Sequence, residues 1–295
     1  MRKNIASSVI AVAFSMMVWA AKFPTKRCAV PYNEDPGERL QIDQSCSLRG
    51  DAPTKSAEAK QNLFKNNLCA TGGPTIITNR DIDDLQLAVD KSGLAYGSRF
   101  RGKAPPDDRS ILQSLPDVHF KEGGIVTYAG YLVEAHYMPK SQGKSANGET
   151  CNCHQKLHEM ADIHLALSDE PMDFPKGEAK EQRQAKMCQT ISAEMTPHLR
   201  PDVWNGDNLN QVIRLGRPVR ITGQLFFDGS HEPCKNGLAQ TGDPVRRSVW
   251  EIHPIYHFEV CRQDDISRCD VSKDGNWQPI SQVADIETGD QEKEP

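Results

Sequence analysis

The chain has 295 residues, of which 37% are hydrophobic and 25% charged, the balance of a soluble globular protein. This length suits one domain of moderate size with appendages, or two small domains. Its formal net charge of −5 gives no general attraction to nucleic acid or anionic membranes, so any such binding needs a local basic patch.

The first twenty residues are typical of a secretory signal peptide. Arg2 and Lys3 precede an apolar run from Val9 to Ala21, which is short for a membrane span of about 20 residues. We expect cleavage after Ala20 and export to the periplasm or the extracellular space, with an uncleaved anchor as the alternative. No other stretch is apolar enough to span a membrane, and removing residues 1–20 leaves a net charge of −7.

Residues 21–114 are predicted to form a loop-rich and helical N-terminal region. One helix is expected over residues 56–68, and a second over 79–92, where Thr78 and Asp81 have the spacing of a capping box. The stretch "GKAPPDDRS" then marks a linker. Near residue 115 the sequence pattern changes from helical to strand-like, which predicts a domain boundary there.

Five strands are predicted between residues 115 and 265 from apolar–polar alternation. Their segments begin with "GIVTYAGYLVEAHYM", followed by "ADIHLALSD", "TISAEM", "VRITGQLFFD" and "SVWEIHPIYHFEVC". Gly130 offers a bend in the long first strand, and Pro254 predicts an edge or a bulge in the fifth. A short helix ending at Gly216 is expected between the third and fourth strands. Residues 266–295 are polar and acidic, which predicts a disordered tail.

This order of elements predicts an α+β fold: a five-stranded Greek-key β-barrel of the OB type, preceded by a mainly helical region. The segments "GYLVEAHY", "DIHLALSD", "VRITGQLFFDGSH" and "WEIHPIYHFEV" resemble the strands of OB-fold proteins of the tRNA-anticodon-binding type. Residues 115–262 are still more similar to a group of uncharacterised exported bacterial proteins that share the elements D-x-H, E-x-T-P, G-x-L-x-x-D-x-x-H and W-E-I-H-P. The resemblance implies the fold and no established activity.

The nine cysteines predict disulfides, because an exported chain meets an oxidising compartment. Their odd number leaves at least one cysteine free or intermolecular. Closeness along the chain suggests Cys28 with Cys46, and Cys261 with Cys269.

Carboxylates and histidines recur on the polar faces of the predicted strands. The set comprises Asp162, His164, Glu194, Asp228, His231, Glu251 and His253. Asp162, His164, Asp228, His231 and His253 are candidate ligands of a divalent ion such as Zn²⁺, Mn²⁺ or Fe²⁺, and Glu251 or Glu194 is a candidate catalytic base. A solvated strand face, or a network that fixes strand register, would use the same residues.

Two further features bear on a ligand. The segment "CNCHQKLHEM" has zinc-ligand residue types but no zinc-finger or metalloprotease spacing, so disulfide formation by Cys151 or Cys153 is the stronger expectation. Arg220, Arg246 and Arg247 are candidate ligand-binding residues, suited to a phosphate-bearing ligand or a short oligonucleotide. Displayed aromatic residues are scarce, which argues against a dedicated single-strand binder.

These features are compatible with three functions. The first is an exported binding module whose ligand meets the His/Asp/Glu-rich face. The second is a metal-dependent hydrolase of the nuclease or phosphodiesterase type, and the third is a structural envelope protein. A metal site requires donor atoms that converge to about 2.0–2.2 Å from one point.

Overall fold

The computed structural model describes residues 41–70, 72–97, 108–144, 146–240, 244–284 and 286. The predicted signal peptide and most of the predicted linker lie outside these residues. The helices are α1 (Gln41–Ser45), α2 (Ala57–Lys65), α3 (Asn79–Lys91), α4 (Lys180–Met187) and α5 (Gly206–Leu215). The strands are β1 (Thr75–Ile76), β2 (Ile125–Met138), β3 (Asp162–Ser168), β4 (Ile191–Met195), β5 (Pro218–Phe227), β6 (Trp250–Cys261) and β7 (Trp277–Pro279).

Strands β2 to β6, which correspond to the five predicted strands, form a closed mixed β-barrel. Around the barrel the order is β2, β3, β4, β6 and β5, and β5 pairs with β2 to close it. The β4–β6 pair is parallel and the other four pairs are antiparallel. Strand β1 adds to β2 and β7 adds to β6. The chain therefore has an α+β fold built around a barrel.

Strand β2 closes the barrel because it pairs with different neighbours along its two halves. Residues 125–131 pair with β5, and residues 131–138 pair with β3. Gly130 lies beside this change of partner, where the backbone of β3 comes close. The absence of a side chain there allows the two strands to approach.

Alternation along the strands separates a hydrophobic interior from a polar outer face, as predicted. Ile163, Leu165 and Leu167 of β3 all belong to the main hydrophobic core. In β6 the strand register shifts where Gly223 of β5 faces the segment around Pro254, which confirms the expected irregularity at this proline.

Two helices confirm their predicted caps and pack on the barrel. The Thr78 side chain and Asp81 form the capping box of α3, and α5 ends at Gly216, which has a φ of +62°. Residues of α3 and of α5 lie in the same hydrophobic core as the barrel strands. Part of the N-terminal region is thus integral to the barrel. Helix α4, which the sequence pattern does not predict, lies between β3 and β4.

The disulfides differ partly from the predicted pairs. Cys261–Cys269 forms as predicted, while Cys46 pairs with Cys153, so the predicted Cys28–Cys46 pair is wrong. Cys188–Cys234 is a third bond, and Cys69 is also disulfide-bonded. Buried Cys151 is a free thiol.

The chain after β6 is ordered for longer than the sequence predicts. Residues 266–284 include β7 and short 3₁₀ turns, and Trp277 is buried against the Cys261–Cys269 bond. Residues 285 and 287–295 of the predicted tail are outside the described part. Among the described residues, no helix combines the length and the apolar character needed to cross a membrane.

The close approach at Gly130 predicts a specific sensitivity. A Cβ there would overlap the Ser168 carbonyl and lie 2.7 Å from the Tyr128 ring, whereas a Cβ on Gly275 would meet nothing within 4 Å. We expect Gly130→Ala to lower the free energy of unfolding by about 2–3 kcal/mol. Denaturant unfolding of Gly130→Ala beside Gly275→Ala tests this, and equal stabilities of the two variants would contradict it.

Candidate metal-binding site

The polar residues predicted to be displayed by the barrel are almost fully covered. Asp162, Glu194, Glu251 and His253 are each at most 2% exposed, and His164 is 7% exposed. They lie on β3, β4 and β6, on the side opposite the hydrophobic interior. The sequence prediction of a solvent-facing row is therefore wrong, because the N-terminal region packs over this face.

Helix α2 is fastened over the barrel by buried amide side chains. Asn66 donates to the carbonyls of Leu48 and Cys151, each at 3.1 Å, and accepts from the Thr196 hydroxyl after β4 at 2.8 Å. Asn62 donates to Arg49 and Thr150. These bonds hold residues 149–153, the end of α2 and the barrel together around one polar cluster.

The centre of this cluster is the His164 imidazole. Its Nε2 lies 3.5 Å from Glu149 Oε2 and 3.5 Å from Glu194 Oε1. Both distances exceed the 2.7–3.2 Å typical of a direct hydrogen bond. Among the described residues, neither ring nitrogen of His164 has a hydrogen-bond partner. A buried imidazole thus faces two carboxylates across a gap.

The gap matches the spacing of ligands around a cation. Two ligands bonded at about 2.1 Å to a tetrahedral ion lie about 3.4 Å apart. Glu149, His164 and Glu194 can bring one donor atom each to within 4.8 Å of the others. One nitrogen and two carboxylate oxygens suit Zn²⁺, Mn²⁺ or Fe²⁺.

Lys65 of α2 supports the two carboxylates from the side away from His164. Its ammonium lies 3.5 Å from Glu149 Oε1 and 3.5 Å from Glu194 Oε2, and its side chain is 6% exposed. These are not the oxygens that face His164. Lys65 therefore orients both carboxylates while leaving the inner oxygens available for a cation.

His253 has a different relation to Glu194. Its Nδ1 lies 2.7 Å from Glu194 Oε2, which is too short for two ligands of one tetrahedral ion and fits a direct ionic contact. Asp162 is near both residues and can form a group of donors with them. His253 is thus better described as the charge partner of Glu194 than as a ligand.

Burial and the neighbouring carboxylates shift the pKa values of His164 and His253 in opposite directions. Burial alone would lower the pKa of His164, but Glu194 and Glu149 outweigh it and raise the pKa to about 10. In the same way Glu194 overcomes burial and raises the pKa of His253 to about 9.

With both imidazoles protonated, their positive charges and that of Lys65 balance the negative charges of the Glu149, Asp162 and Glu194 carboxylates. A cation bound at His164 would replace the proton of that imidazole alone, because His253 is the charge partner of Glu194.

A second ionic group adjoins the cluster and contains the other predicted residues. Arg246 bridges Asp228, at 3.1 Å, and Glu251, and Asp228 accepts from His231 at 2.7 Å. The Arg246 and Glu251 side chains are fully buried. Asp228 and His231 therefore pair with Arg246 and each other, and Glu251 reaches the cluster only through a 3.8 Å approach to His253.

The other two arginines that the sequence predicts to bind a ligand, Arg220 and Arg247, lie away from the His164 cluster. Arg220 bonds Glu259 and Asp274 beneath Trp277, and Arg247 bonds Asp83 of α3. In the segment after Cys151, Cys153 is in a disulfide. His154 is 3.6 Å from Asp51, and His158 stacks on Tyr137. The structure does not bring these arginines and histidines to the His164 cluster.

A cavity of about 210 Å³ borders the cluster on the outer face of β2, β3 and β4. His164 and Glu194 form part of its wall. Its rim includes Lys140, Lys180 and Arg183, and Pro244 and Val245 belong to the connection between β5 and β6. A cation bound by His164 and Glu194 would therefore adjoin this cavity.

Glu149, Lys65 and the cationic rim are not predicted from the sequence. Glu149 lies in the β2–β3 connection and Lys65 at the end of α2, and neither belongs to a strand with a two-residue period. Only the position of Glu149 two residues before Cys151 hints at a ligand group.

Comparisons of the chain with protein-family models, with curated proteins and with solved structures each gave no match. The site is therefore interpreted from its own geometry and chemistry.

The position of Lys65 predicts a large effect of its removal. Lys65→Met leaves the buried carboxylate of Glu194 and the partly buried carboxylate of Glu149 without their shared ammonium. Breaking a buried pair costs about 3–5 kcal/mol. We expect a loss of about 3 kcal/mol in the free energy of unfolding measured with a chelator present. Lys91→Met is the control, because Lys91 and its partner Asp117 are both exposed. A loss no larger than that of Lys91→Met would contradict this account of the cluster.

Proposed function

We propose that the chain is an exported ligand-binding module, in which a divalent cation held by Glu149, His164 and Glu194 fixes a ligand in the adjoining cavity. The observation that carries the proposal is the paired 3.5 Å spacing around the His164 imidazole, which has no hydrogen-bond partner in the described part of the chain and lies at the wall of a cavity. Export is supported by the disulfides, three of which join pairs of described cysteines, because such bonds persist in oxidising compartments.

The barrel is proposed to be of the OB type. Numbered within the barrel, its order is first, second, third, fifth and fourth strand, with a helix between the third and fourth. OB folds bind ligands on the face of the second and third strands, between the loops that join strands one to two and four to five. The cavity adjoins β3 and β4, Glu149 comes from the first of these loops, and Pro244 and Val245 come from the second.

The ligand is proposed to carry a phosphate group. Lys140, Lys180 and Arg183 outweigh the charge of the Glu134 carboxylate at the rim, and the cation would add positive charge at the inner wall. Arg183 is held in place by Glu134 at 3.0 Å and by the Phe174 ring. The described residues that line the cavity include no Phe, Tyr or Trp, so a small phosphate-bearing ligand is favoured over an oligonucleotide that stacks its bases.

A metal-dependent hydrolase is the second candidate. Three protein ligands beside a cavity leave a coordination position for water, as in catalytic zinc sites. Of the two bases predicted from sequence, Glu251 is fully buried against Arg246 and does not line the cavity. Glu194 lines the cavity, but its carboxylate would be bound to the cation and could not act as a base. Catalysis would then depend on metal-bound water rather than on these carboxylates as bases.

A structural envelope role is the third candidate, since the protonated cluster balances its own charges. A test for metal binding distinguishes this role from the first two.

Mn²⁺ is the probe for the His164 site, because manganese prefers nitrogen and oxygen ligands. We expect the full chain to bind Mn²⁺, and His164→Ala to raise the dissociation constant more than about 100-fold, since a direct ligand is lost.

Electron paramagnetic resonance of free Mn²⁺ measures this binding, and exposed His119 supplies the control variant His119→Ala. Failure of the unmodified chain to bind Mn²⁺, or equal binding by His164→Ala, would overturn the proposed function. Failure to bind would favour the structural role.

The cationic rim predicts phosphate binding that depends on the metal. We expect inorganic phosphate to bind the Mn²⁺-loaded chain, with ³¹P line broadening as the measurement. Lys180→Gln combined with Arg183→Gln should weaken it about five-fold or more, because one charge contributes up to about 1 kcal/mol. Arg214→Gln, on the exposed side of α5, should leave it unchanged. Equal broadening in both variants would exclude the rim as the anion contact.

A further inference from the structure

A second group of donors shares Glu149 with the His164 site. The Cys151 thiol donates a hydrogen bond to Asp162 Oδ2 at 3.4 Å, and its Sγ lies 3.8 Å from Glu149 Oε2, the oxygen that also faces His164. Around a tetrahedral cation with bonds of about 2.3 Å to sulfur and 2.1 Å to oxygen, such ligands lie about 3.6 Å apart. The two observed distances bracket this value.

Two further observations point to an ion at this place. Asp162 is fully buried, yet its Oδ1 has no hydrogen-bond partner among the described residues. A buried carboxylate oxygen without a partner is costly unless something else satisfies it. In addition, Cys151 is a free thiol, whereas the other described cysteines are all disulfide-bonded, including Cys153 two residues away.

We propose that Cys151, Asp162 and Glu149 hold a second divalent cation, so that Glu149 Oε2 bridges two metal ions. This inference rests on the proposed function for the first ion, at His164. On binding, the thiol of Cys151 gives its proton to solvent, and the thiolate sulfur bonds the metal. A ligand set of one sulfur and two oxygens favours Zn²⁺ over Mn²⁺ at this second position.

The shared oxygen limits the distance between the ions. Two metal–oxygen bonds of about 2.1 Å set an upper limit of about 4.2 Å, and pairs of metals that act on phosphate esters lie about 3.5–4 Å apart. Glu149, Cys151 and Asp162 do not line the cavity, so the second ion would lie behind the first one and would hold their shared carboxylate in place.

Titration of the full chain with Co²⁺ tests the second site, since cobalt replaces zinc and absorbs in the near ultraviolet when bound to thiolate. We expect two equivalents of bound Co²⁺ and a thiolate-to-cobalt absorption band. Cys151→Ala should lose the band and one equivalent while retaining Mn²⁺ binding at His164. His164→Ala should retain the band and lose the other equivalent.

Asp162→Asn serves as a second variant, because it preserves the size of the side chain and leaves the thiol in place. It should also reduce bound Co²⁺ to one equivalent, and a thermal unfolding curve checks that each variant is folded. One equivalent of Co²⁺ without a thiolate band in the unmodified chain, together with normal Mn²⁺ binding, overturns the second site and leaves the proposed function standing. Absence of both Mn²⁺ binding and the cobalt band overturns both.

Discussion

The arrangement of the outer barrel face depends on the burial of Lys65 between Glu149 and Glu194. Carboxylates taken out of water require a nearby positive charge, and the barrel strands next to Glu194 supply only imidazoles. Helix α2 brings the ammonium, and the asparagines at its end fasten the helix to the loop that carries Glu149. Electrostatics, rather than an apolar interface, thus explains why a helix covers a polar sheet face.

The same packing determines which residues of the cluster face the cavity and which are buried behind them. His253, Asp162 and Glu251 lie deep under the covering segment, while His164 and Glu194 reach the cavity. A small molecule that approaches from solvent would therefore meet the imidazole of His164 before any other histidine of the cluster. The buried members serve to fix charge and orientation, which is the usual task of groups behind a ligand shell.

Features that depend on local periodicity can be predicted from the sequence. Alternation identifies the five barrel strands, and because β3, β4 and β6 are neighbours, Asp162, His164, Glu194 and His253 lie close together in the structure. The predicted solvent exposure is wrong, since a polar row has the same pattern whether water or a charged helix covers it. Lys65 and Glu149 cannot be assigned in this way, because more than 80 residues separate them in the sequence and they meet only in the folded chain. Arg220 and Arg247 have carboxylate partners that no spacing indicates.

The Cys46–Cys153 disulfide joins residues separated by 107 positions and closes beside Glu149. It ties the loop that carries Glu149 to the residue that directly follows α1, so two segments far apart in the sequence are held together. Before this bond forms, the loop that carries Glu149 is attached to the α1 segment by weaker contacts alone. Oxidation of this cysteine pair therefore restricts the movement of the loop that carries Glu149.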